Sequence, residues 1–192
     1  MTSAPDPVRA VLETVRRQDF LPEEKRGFAG QDSPINIGYQ QTNSQPTTVA
    51  NMLTLLEVAP GHRVLDVGCG SGWTTALLAT LVGPSGEVCG VELVPELVSW
   101  GRDNLAAYPM PWASISQASS DALGLPDRGP FDRILVSAEA GSVPAELVAQ
   151  LGPGALMVVP VAGRMTVVRR TDGEPSVVRH GYYSFVPLIE PG

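Results

Sequence analysis

Strand-like and helix-like segments alternate from position 63 to position 107, and this alternation constrains the fold more than any other feature of the sequence. The apolar runs at 63–67 and 87–92 are typical of buried strands. Each is followed by a segment, 73–82 or 95–107, with the length and spacing of a helix. The order strand, helix, strand, helix predicts parallel strands with helices packed on the sheet. We therefore expect an α/β, doubly wound fold.

The rest of the sheet is predicted from the second half of the chain. Further strands are expected at 112–117, 131–136 and 155–159, with a helix at 143–151 before the last of them. Beyond Gly163, two β-branched runs flank the turn residues TDGEP and a third short run follows, which predicts antiparallel strands at the edge. The expected result is a Rossmann-like, mostly parallel, seven-stranded sheet that ends in an antiparallel C-terminal hairpin.

The N-terminal part of the chain has a different character. Apolar residues recur at helical spacing in 7–17, a second helix is expected to begin near Thr47, and the segment 19–46 is irregular. Because long irregular connections in compact domains are usually functional or disordered, the apolar residues within this one favour an ordered cover. We expect a single domain over all 192 residues, with N-terminal helices and the cover in 1–60 and a ligand-binding core in 61–192.

Composition and charge exclude several classes of protein. A formal charge of −7 argues against a protein that tracks a nucleic-acid backbone, because phosphate affinity comes mainly from clustered Lys and Arg. The two cysteines, Cys69 and Cys89, lie singly in strand-like runs and suggest neither a disulfide framework nor a metal site. No secretory signal is evident, and no apolar run approaches the ~20 residues of a membrane span. We expect a monomeric, cytoplasmic protein without bound metal.

Glycines separate the first buried strand from its helix. Gly68, Gly70 and Gly72 let the backbone turn sharply and let its N–H groups approach a bound anion or ribose at the positive end of the helix. A tight turn without a ligand would use the same residues. Glu92 ends the next strand about 20 residues on, where an acidic side chain accepts hydrogen bonds from ribose hydroxyls, and Leu93 directly follows it. Together these residues predict an adenosine site.

Asp66 places a carboxylate inside the first strand, where a buried strand favours an apolar residue. Because a buried charge needs a partner, Asp66 is expected either to accept hydrogen bonds from the glycine turn or to face a cationic ligand. S-adenosyl-L-methionine would use all of these features: its ribose suits Glu92, its methionine end suits the glycine turn, and its cationic groups suit nearby carboxylates. NAD fits less well, because its enzymes usually need a second mononucleotide-binding half and here the sheet ends in a hairpin.

With these motifs the sequence resembles a known family, the protein-L-isoaspartate O-methyltransferases, which are class I S-adenosylmethionine-dependent enzymes. The glycine turn is shared with many methyltransferases, whereas the QTxSxP element in INIGYQQTNSQP and the closing FVPL are more particular to this family. The resemblance runs along most of the chain, through DPVRAVLETVRRQDFLPEE, RVLDVGCGSGWTTALLATLVG, GVELVPELV, GPFDRILVSA and VPAELVAQLGPGALMVVPV.

The resemblance implies that the QTNSQP segment covers the methyl donor and holds the acceptor carboxylate, with Ser44 as the catalytic serine. A carboxylate is already ionised at neutral pH and needs no general base, so hydroxyl and amide groups that align one of its oxygens suit this work. Thr42 is a second candidate catalytic donor, and Gln41, Asn43 and Gln45 are expected substrate contacts. The alternative is that Ser44 or Thr42 merely caps the helix that follows.

Several positions depart from the family pattern. Relatives usually carry Gly-Asp-Gly after the third core strand, with the Asp near the adenine amino group, whereas this chain has ASSDALG. Ser120 takes that place without a gap, and Asp121 takes it if the loop shifts by one residue. Ser137 and Glu139 are expected near the acceptor mouth, where Glu139 would repel an acidic peptide or pair with a basic one, unless it is a solvated loop residue. Gln40 replaces a glycine common in the family.

We therefore expect a carboxyl O-methyltransferase that acts on L-isoaspartyl residues of proteins or peptides, with D-aspartyl residues as a second candidate acceptor and S-adenosyl-L-homocysteine as the other product. In the family, the methyl ester collapses to a succinimide whose hydrolysis partly restores a normal aspartyl link. One alternative is an enzyme that esterifies an ordinary aspartate in one constrained biosynthetic peptide to form aspartimide. Another is a non-catalytic protein that binds nucleotide or peptide. The acidic charge and the absence of an Asn/Asp-Pro-Pro-aromatic motif disfavour a nucleic-acid methyltransferase.

Overall fold

The computed structural model describes residues 6–189, which form a seven-stranded sheet, a separate two-stranded hairpin and flanking helices. The strands are β1 Ile35–Gly38, β2 Gln41–Asn43, β3 Arg63–Val67, β4 Glu87–Glu92, β5 Ala113–Gln117, β6 Phe131–Val136, β7 Leu151–Val161, β8 Arg164–Arg169 and β9 Ser176–Tyr182. The α-helices are α1 Pro7–Thr14, α2 Pro46–Leu56, α3 Trp73–Val82, α4 Pro95–Ala106 and α5 Ala145–Ala149. Short 3₁₀ helices occur at Arg17–Phe20, Glu23–Phe28 and Pro126–Arg128.

The strands of the large sheet follow the order β5-β4-β3-β6-β7-β8-β9. Strands β3 to β7 run parallel to one another, and β8 and β9 are added antiparallel. The predicted fold is confirmed. The chain runs outward from β3 through β4 to β5 and then returns to β6 on the other side of β3. The carboxyl ends of β3 and β6 therefore form a topological switch point, where open α/β sheets bind ligands.

Helices cover the sheet on both faces, and the side chains of β3 alternate between the two resulting cores. Val64 belongs to a buried cluster with Leu53 of α2 and Leu77 of α3. Leu65 and Val67 belong to a second cluster, which includes residues of β6, β7 and α5. Because successive side chains of a strand point to opposite faces, a strand buried on both sides must be apolar throughout. This explains why the runs are mostly apolar, with Asp66 as the charged exception in β3.

The N-terminal region differs from the prediction in its details. Helix α1 ends at Thr14, short of the predicted end, because Val15 is extended and the chain then enters a 3₁₀ helix. Part of the segment predicted to be irregular forms the β1–β2 hairpin, whose turn residues Tyr39 and Gln40 have left-handed φ angles of 53° and 59°. Such a turn usually carries Asn-Gly, so the usual hairpin signal is missing from this sequence. We call residues 35–45 the flap.

The C-terminal region departs from the prediction in two ways. Helix α5 is shorter than predicted and β7 begins earlier, at Leu151. The third strand expected after the hairpin does not form: residues 183–189, which we call the C-terminal segment, leave the sheet after β9. Backbone hydrogen bonds join Glu139, after the end of β6, to both Val186 and Leu188. The segment therefore lies over the carboxyl end of β6 and does not extend the sheet edge.

Candidate active site

A cleft of about 380 Å³ opens at the switch point of the sheet. Its wall is formed by the flap, the glycine turn after β3, the start of the β4–α4 loop, the loop after β5, the end of β6 and the C-terminal segment. This volume is within the range of small-molecule sites in proteins. The cleft thus brings together regions that are far apart in the sequence.

The glycine turn is tightly packed. Gly68, Gly70 and Gly72 have φ angles of 75°, 54° and 90°, which strain residues that carry a Cβ. A Cβ at Gly70 would lie 3.4 Å from the Cδ1 atom of Ile37 in the flap, and one at Gly72 would lie 2.9 Å from the Cδ1 atom of Ile115. Gly68 and Gly70 line the cleft, whereas Gly72 lies behind it as the N-cap residue of α3. The flap therefore lies directly over the turn.

Glu92 connects the glycine turn to the β4–α4 loop. Its Oε2 atom accepts a hydrogen bond from Gly70 N at 2.9 Å, and its Oε1 atom accepts from Leu93 N at 2.7 Å and Val94 N at 3.0 Å. An ionised carboxylate has about four acceptor positions, so capacity remains for a hydroxyl of a ligand. Glu92 and Leu93 both line the cleft, as expected of residues that contact a bound nucleoside.

Asp66 is fully buried and does not line the cleft. Its Oδ2 atom accepts hydrogen bonds from the hydroxyls of Thr74 and Thr75, each at 2.7 Å, so α3 satisfies it and not the glycine turn. Its Oδ1 atom has no partner among the described residues. Burial raises the pKa of Asp66 to about 6, while the two threonine hydroxyls act in the opposite direction. A cation bound nearby would favour the ionised form.

The flap places Ser44 and Thr42 at the cleft, where Ser44 is half-buried and Thr42 is exposed. Neither residue caps α2. The N-cap residue is Gln45, which makes no capping bond with its own side chain. Asp32 acts as the cap instead, because its Oδ1 atom accepts from Thr47 N at 2.9 Å. The alternative role of Ser44 and Thr42 as capping residues is therefore wrong for this helix.

Asp32 also holds the side chain of Gln45. The Oδ2 atom of Asp32 accepts from Gln45 Nε2 at 3.0 Å and from the Thr47 hydroxyl at 2.7 Å. These bonds lower the pKa of Asp32, the backbone N–H of Thr47 contributing most. Gln45 lines the cleft, but its amide N–H already has a protein partner. The expected substrate contact of Gln45 stays a prediction, as do those of Gln41 and Asn43, which also line the cleft.

Arg17 is a buried residue beside the flap that the sequence analysis did not single out. Its guanidinium donates hydrogen bonds to acceptors in the segment 29–33 and in the flap, including the backbone oxygens of Asn43 and Ser44 at 3.1 and 2.9 Å. Most of its acceptors are backbone carbonyls, which every residue has, so the partners of Arg17 carry no sequence signal. The available clue in the sequence was an arginine at the end of the apolar helical pattern in 7–17.

The two candidates for the adenine contact lie outside the cleft lining. Ser120 and Asp121 are exposed, and the Ser120 hydroxyl donates to Asp121 Oδ1 at 2.9 Å. Asp121 N donates to the Ser119 hydroxyl at 3.0 Å, which turns the loop back on itself. Their neighbours Ser119 and Ala122 do line the cleft. The structure does not bring Ser120 or Asp121 together with the other candidate residues, and their role in adenine binding stays a prediction.

Ser137 and Glu139 follow β6 but differ in position. Ser137 lines the cleft, whereas Glu139 does not. The Oε1 atom of Glu139 accepts a hydrogen bond from Gly163 N at 3.2 Å, so its side chain connects the end of β6 to the turn before β8. In this conformation Glu139 supports the C-terminal segment that lines the cleft. A direct contact between Glu139 and substrate stays a prediction.

The cleft is nearly free of formal charge. Among the lining residues within 6–189, Glu92 is the single Asp, Glu, Lys, Arg or His side chain. In the same part of the chain, no group of three His, Cys, Asp or Glu side chains is placed to hold a metal ion. No helix in the described range has the length and apolar character needed to cross a bilayer. Recognition in the cleft must therefore depend mainly on hydroxyl, amide and backbone groups.

The fold and the site together define a class of protein. A glycine turn and an acidic strand end at the switch point of a seven-stranded sheet with antiparallel last strands are the features of Rossmann-like class I methyltransferases. A crystal structure of a Plasmodium falciparum protein described as a protein-L-isoaspartate O-methyltransferase, in complex with S-adenosyl-L-homocysteine, has this fold. It superimposes with a TM-score of 0.81 over 97% of this chain and 92% of that one, at 23% sequence identity.

The particular family follows from sequence comparison. The family described as protein-L-isoaspartate(D-aspartate) O-methyltransferase matches residues 2–191. The chain is 45% identical over 180 residues to the protein-L-isoaspartate O-methyltransferase of Methanopyrus kandleri, covering 91% of this chain and 80% of that protein. It is 43% identical over 189 residues to the Aeropyrum pernix protein of the same name, covering 94% and 73%. The chain belongs to the protein-L-isoaspartate(D-aspartate) O-methyltransferase family.

Proposed function

We propose that the protein transfers a methyl group from S-adenosyl-L-methionine to the carboxylate of L-isoaspartyl, or D-aspartyl, residues in proteins and peptides. The observation that carries this proposal is that Ser44 of the flap and Glu92 and Gly70 beside the glycine turn line one cleft. The names of the relatives support the acceptor, and the S-adenosyl-L-homocysteine complex of the Plasmodium falciparum protein supports the donor. The peptide-tailoring and non-catalytic alternatives gain no support from these names.

The residues at the glycine turn fit the proposed donor. Glu92 retains acceptor capacity for ribose hydroxyls, and the glycines allow a ligand to approach the backbone closely. The free Oδ1 atom of Asp66, directly behind the turn, and the carboxylate of Glu92 favour a cationic ligand at this end of the cleft. When bound, S-adenosyl-L-methionine supplies a methyl group made electrophilic by its sulfonium sulfur.

The flap fits the proposed acceptor. A carboxylate is ionised at neutral pH, so the protein does not need to remove a proton from it. The protein then only needs to hold one carboxylate oxygen in line with the methyl group and the sulfur. The hydroxyls of Ser44 and Thr42 are uncharged hydrogen-bond donors that suit this task. Because Glu92 is the single charged side chain among the described lining residues, no cationic side chain competes with these hydroxyls for the acceptor.

Apolar residues of the flap pack it against the rest of the protein. Ile35 and Ile37 form a buried cluster with Leu21 and with Leu97 of α4. The hairpin thus supports alignment of the acceptor by the residues that follow it.

In the family, the methyl ester formed goes on to a succinimide, which makes the reaction a step of protein repair.

The test is methyl transfer from isotopically labelled donor to a short isoaspartyl peptide, beside the same peptide with an ordinary aspartyl residue. The proposal expects label in the isoaspartyl peptide alone, and release of labelled methanol in hydroxide as the sign of an ester. Equal labelling of both peptides, or activity on one cyclic or looped precursor peptide alone, would contradict it. A D-aspartyl peptide in the same assay decides the second acceptor. The single domain, the monomeric state and the cytoplasmic location stay predictions.

A further inference from the structure

We propose that Arg17 is a positioning residue that fixes Ser44 relative to the glycine turn. This inference rests on the proposed function, because it takes Ser44 as the residue that holds the acceptor. Arg17 does not line the cleft. Its effect on methyl transfer is therefore indirect and acts through the flap.

The guanidinium of Arg17 is saturated with acceptors. It donates six hydrogen bonds of 2.8 to 3.3 Å, one from Nε, two from Nη1 and three from Nη2. An arginine has five N–H donors, so every donor is used and one is shared. The acceptors are Asn43 Oδ1 and the backbone oxygens of Ala29, Gln31, Ser33, Asn43 and Ser44. The planar group thus holds two separate stretches of backbone in one arrangement.

The environment of Arg17 is unusual for a charged side chain. Arg17 is 6% exposed, and all six of its acceptors are uncharged. Burial lowers its pKa to about 10, so the group is still protonated at neutral pH. A buried cation without a bonded carboxylate depends on its hydrogen bonds. The fold therefore keeps a buried cation, with its desolvation cost, at the point where the flap meets α2.

Arg17 also connects the flap to the glycine turn. Its guanidinium lies 5.5 Å from the ring centre of Trp73, the first residue of α3 after the turn. Asn43, which accepts from Arg17 Nε at 2.8 Å, donates through Nδ2 to the hydroxyl of Ser71 at 3.4 Å. Ser71 belongs to the turn and lines the cleft. A path of direct contacts therefore runs from Ser44 through Arg17 to the proposed donor site.

A third set of contacts fixes the other side of Ser44. The backbone oxygens that Arg17 holds at Gln31 and Ser33 flank Asp32, the residue that caps α2. Ser44 is thus held at its own carbonyl by Arg17, and the helix that follows it is held by Asp32. Because a displacement of about 1 Å in a reacting group can cost roughly 10²-fold in rate, this arrangement bears directly on turnover.

The test is Arg17→Lys, with Arg16→Lys as the matched control. A lysine keeps the charge but has three donors on one atom and cannot span both stretches of backbone. We expect kcat on an isoaspartyl peptide to fall by roughly 10²-fold, with KM for the peptide and calorimetric affinity for S-adenosyl-L-homocysteine nearly unchanged. Hydrogen exchange of the amides at 41–45 should become faster, while amides of β3 keep their protection. Arg16, whose side chain is exposed and paired with Asp19, should show none of these changes.

Two outcomes overturn the inference: wild-type kcat in Arg17→Lys, or slower turnover without faster exchange in the flap. If Arg17→Lys loses its cooperative unfolding transition, Asn43→Ala decides, because it removes one acceptor of Arg17 and the link to Ser71 while it keeps the guanidinium. It should show the same split between kcat and donor affinity together with faster exchange at 41–45, which loss of a substrate contact alone would not cause, and wild-type exchange or wild-type kcat in it also overturns the inference. If the wild-type protein methylates no isoaspartyl peptide, the proposed function fails, and flap exchange still decides whether Arg17 fixes Ser44.

Discussion

At the scale of single residues, Ser44 combines a fixed backbone with a free side chain. Its carbonyl accepts a hydrogen bond from Arg17 at 2.9 Å, and its hydroxyl is not used to cap α2. A positioned hydroxyl of this kind acts as a donor without the cost of rearrangement during the reaction. Substitution of Ser44 by alanine removes only the hydroxyl oxygen, so it tests the role of the residue cleanly.

We expect Ser44→Ala to lower kcat on an isoaspartyl peptide by about 10²- to 10³-fold, by analogy with loss of one oxyanion-hole donor. Affinity for S-adenosyl-L-homocysteine should change little, because Ser44 belongs to the flap and not to the glycine turn. Steady-state kinetics and calorimetry measure the two effects. Ser99→Ala, on the exposed face of α4, is the control. Undiminished turnover in Ser44→Ala would remove the residue from the proposed mechanism.

Asp66 makes the stability of the protein depend on pH. Its folded pKa of about 6 lies above its ordinary value of 3.8, so its contribution to stability is complete below 3.8 and is lost as the pH rises through about 6. The shift corresponds to about 3 kcal/mol at most. We expect the unfolding free energy of the wild type, measured in urea relative to Asp66→Asn, to decrease between pH 4 and pH 7. Parallel pH profiles for the two proteins would rule out this titration.

At the scale of secondary structure, the helix after the flap depends on a residue from a distant loop. Asp32 accepts hydrogen bonds from the backbone and side chain of Thr47 and from Gln45. A cap supplied from outside the helix joins the stability of α2 to the position of the segment 29–33. The C-terminal end of the flap is therefore held by two different residues, Arg17 and Asp32, and both are charged at neutral pH.

We expect Asp32→Ala to unfold at a lower temperature than the wild type at pH 7. The pKa of Asp32 is lowered, so its contribution is present above its ordinary value of 3.8 and is lost as the pH falls through the lower folded pKa. The difference in Tm between the two proteins should therefore vanish in acid. Thermal unfolding followed by circular dichroism at several pH values is the measurement. Asp172→Ala, at the exposed turn after β8, should match the wild type throughout.

The success of prediction from sequence differs between elements for physical reasons. The bounds of β3, α3 and β4 were predicted correctly, because each is buried and its apolar run is bounded by glycine, proline or a charged residue. The β1–β2 hairpin was missed because Tyr39 and Gln40 are not the residues that favour left-handed turns. The start of β7 was misplaced because Gly152, Pro153 and Gly154 are residues typical of a turn, although they belong to the strand.

The residues of the candidate site also differ in how well the sequence predicts them. Glu92 and Ser44 were predicted from their own side chains at recognisable sequence positions, and both line the cleft. Arg17 was missed because its partners lie 12 to 27 residues away and are mostly backbone oxygens. Asp121 is exposed because the loop turns back on itself, with hydrogen bonds between Asp121 and the hydroxyls of Ser119 and Ser120. A sequence motif does not predict such local hydrogen bonds.

At the scale of the whole molecule, the glycine turn is the point where three elements meet. A Cβ at Gly72 would lie 2.9 Å from Ile115 Cδ1 of β5 and 3.1 Å from the backbone oxygen of Gly101 in α4. The left-handed φ of 90° adds strain for any residue with a side chain. Close packing here lets α3, α4 and β5 approach the turn, and the shape of the cleft depends on that approach.

We expect Gly72→Ala to lower the unfolding free energy by about 2 to 4 kcal/mol, from backbone strain and overpacking together. Urea unfolding monitored by tryptophan fluorescence measures the change. The control is Gly173→Ala, because a Cβ at Gly173 would meet no atom within 4 Å. A stability close to that of the wild type would mean that the neighbouring elements can move apart at little cost.

The fixed position of Glu92 affects how much affinity is lost when a nucleoside binds. Three backbone amides hold its carboxylate in place without any ligand. An incoming nucleoside therefore meets an acceptor that is already preorganised, and little of its affinity is lost to freezing side-chain rotamers or to folding a loop around it.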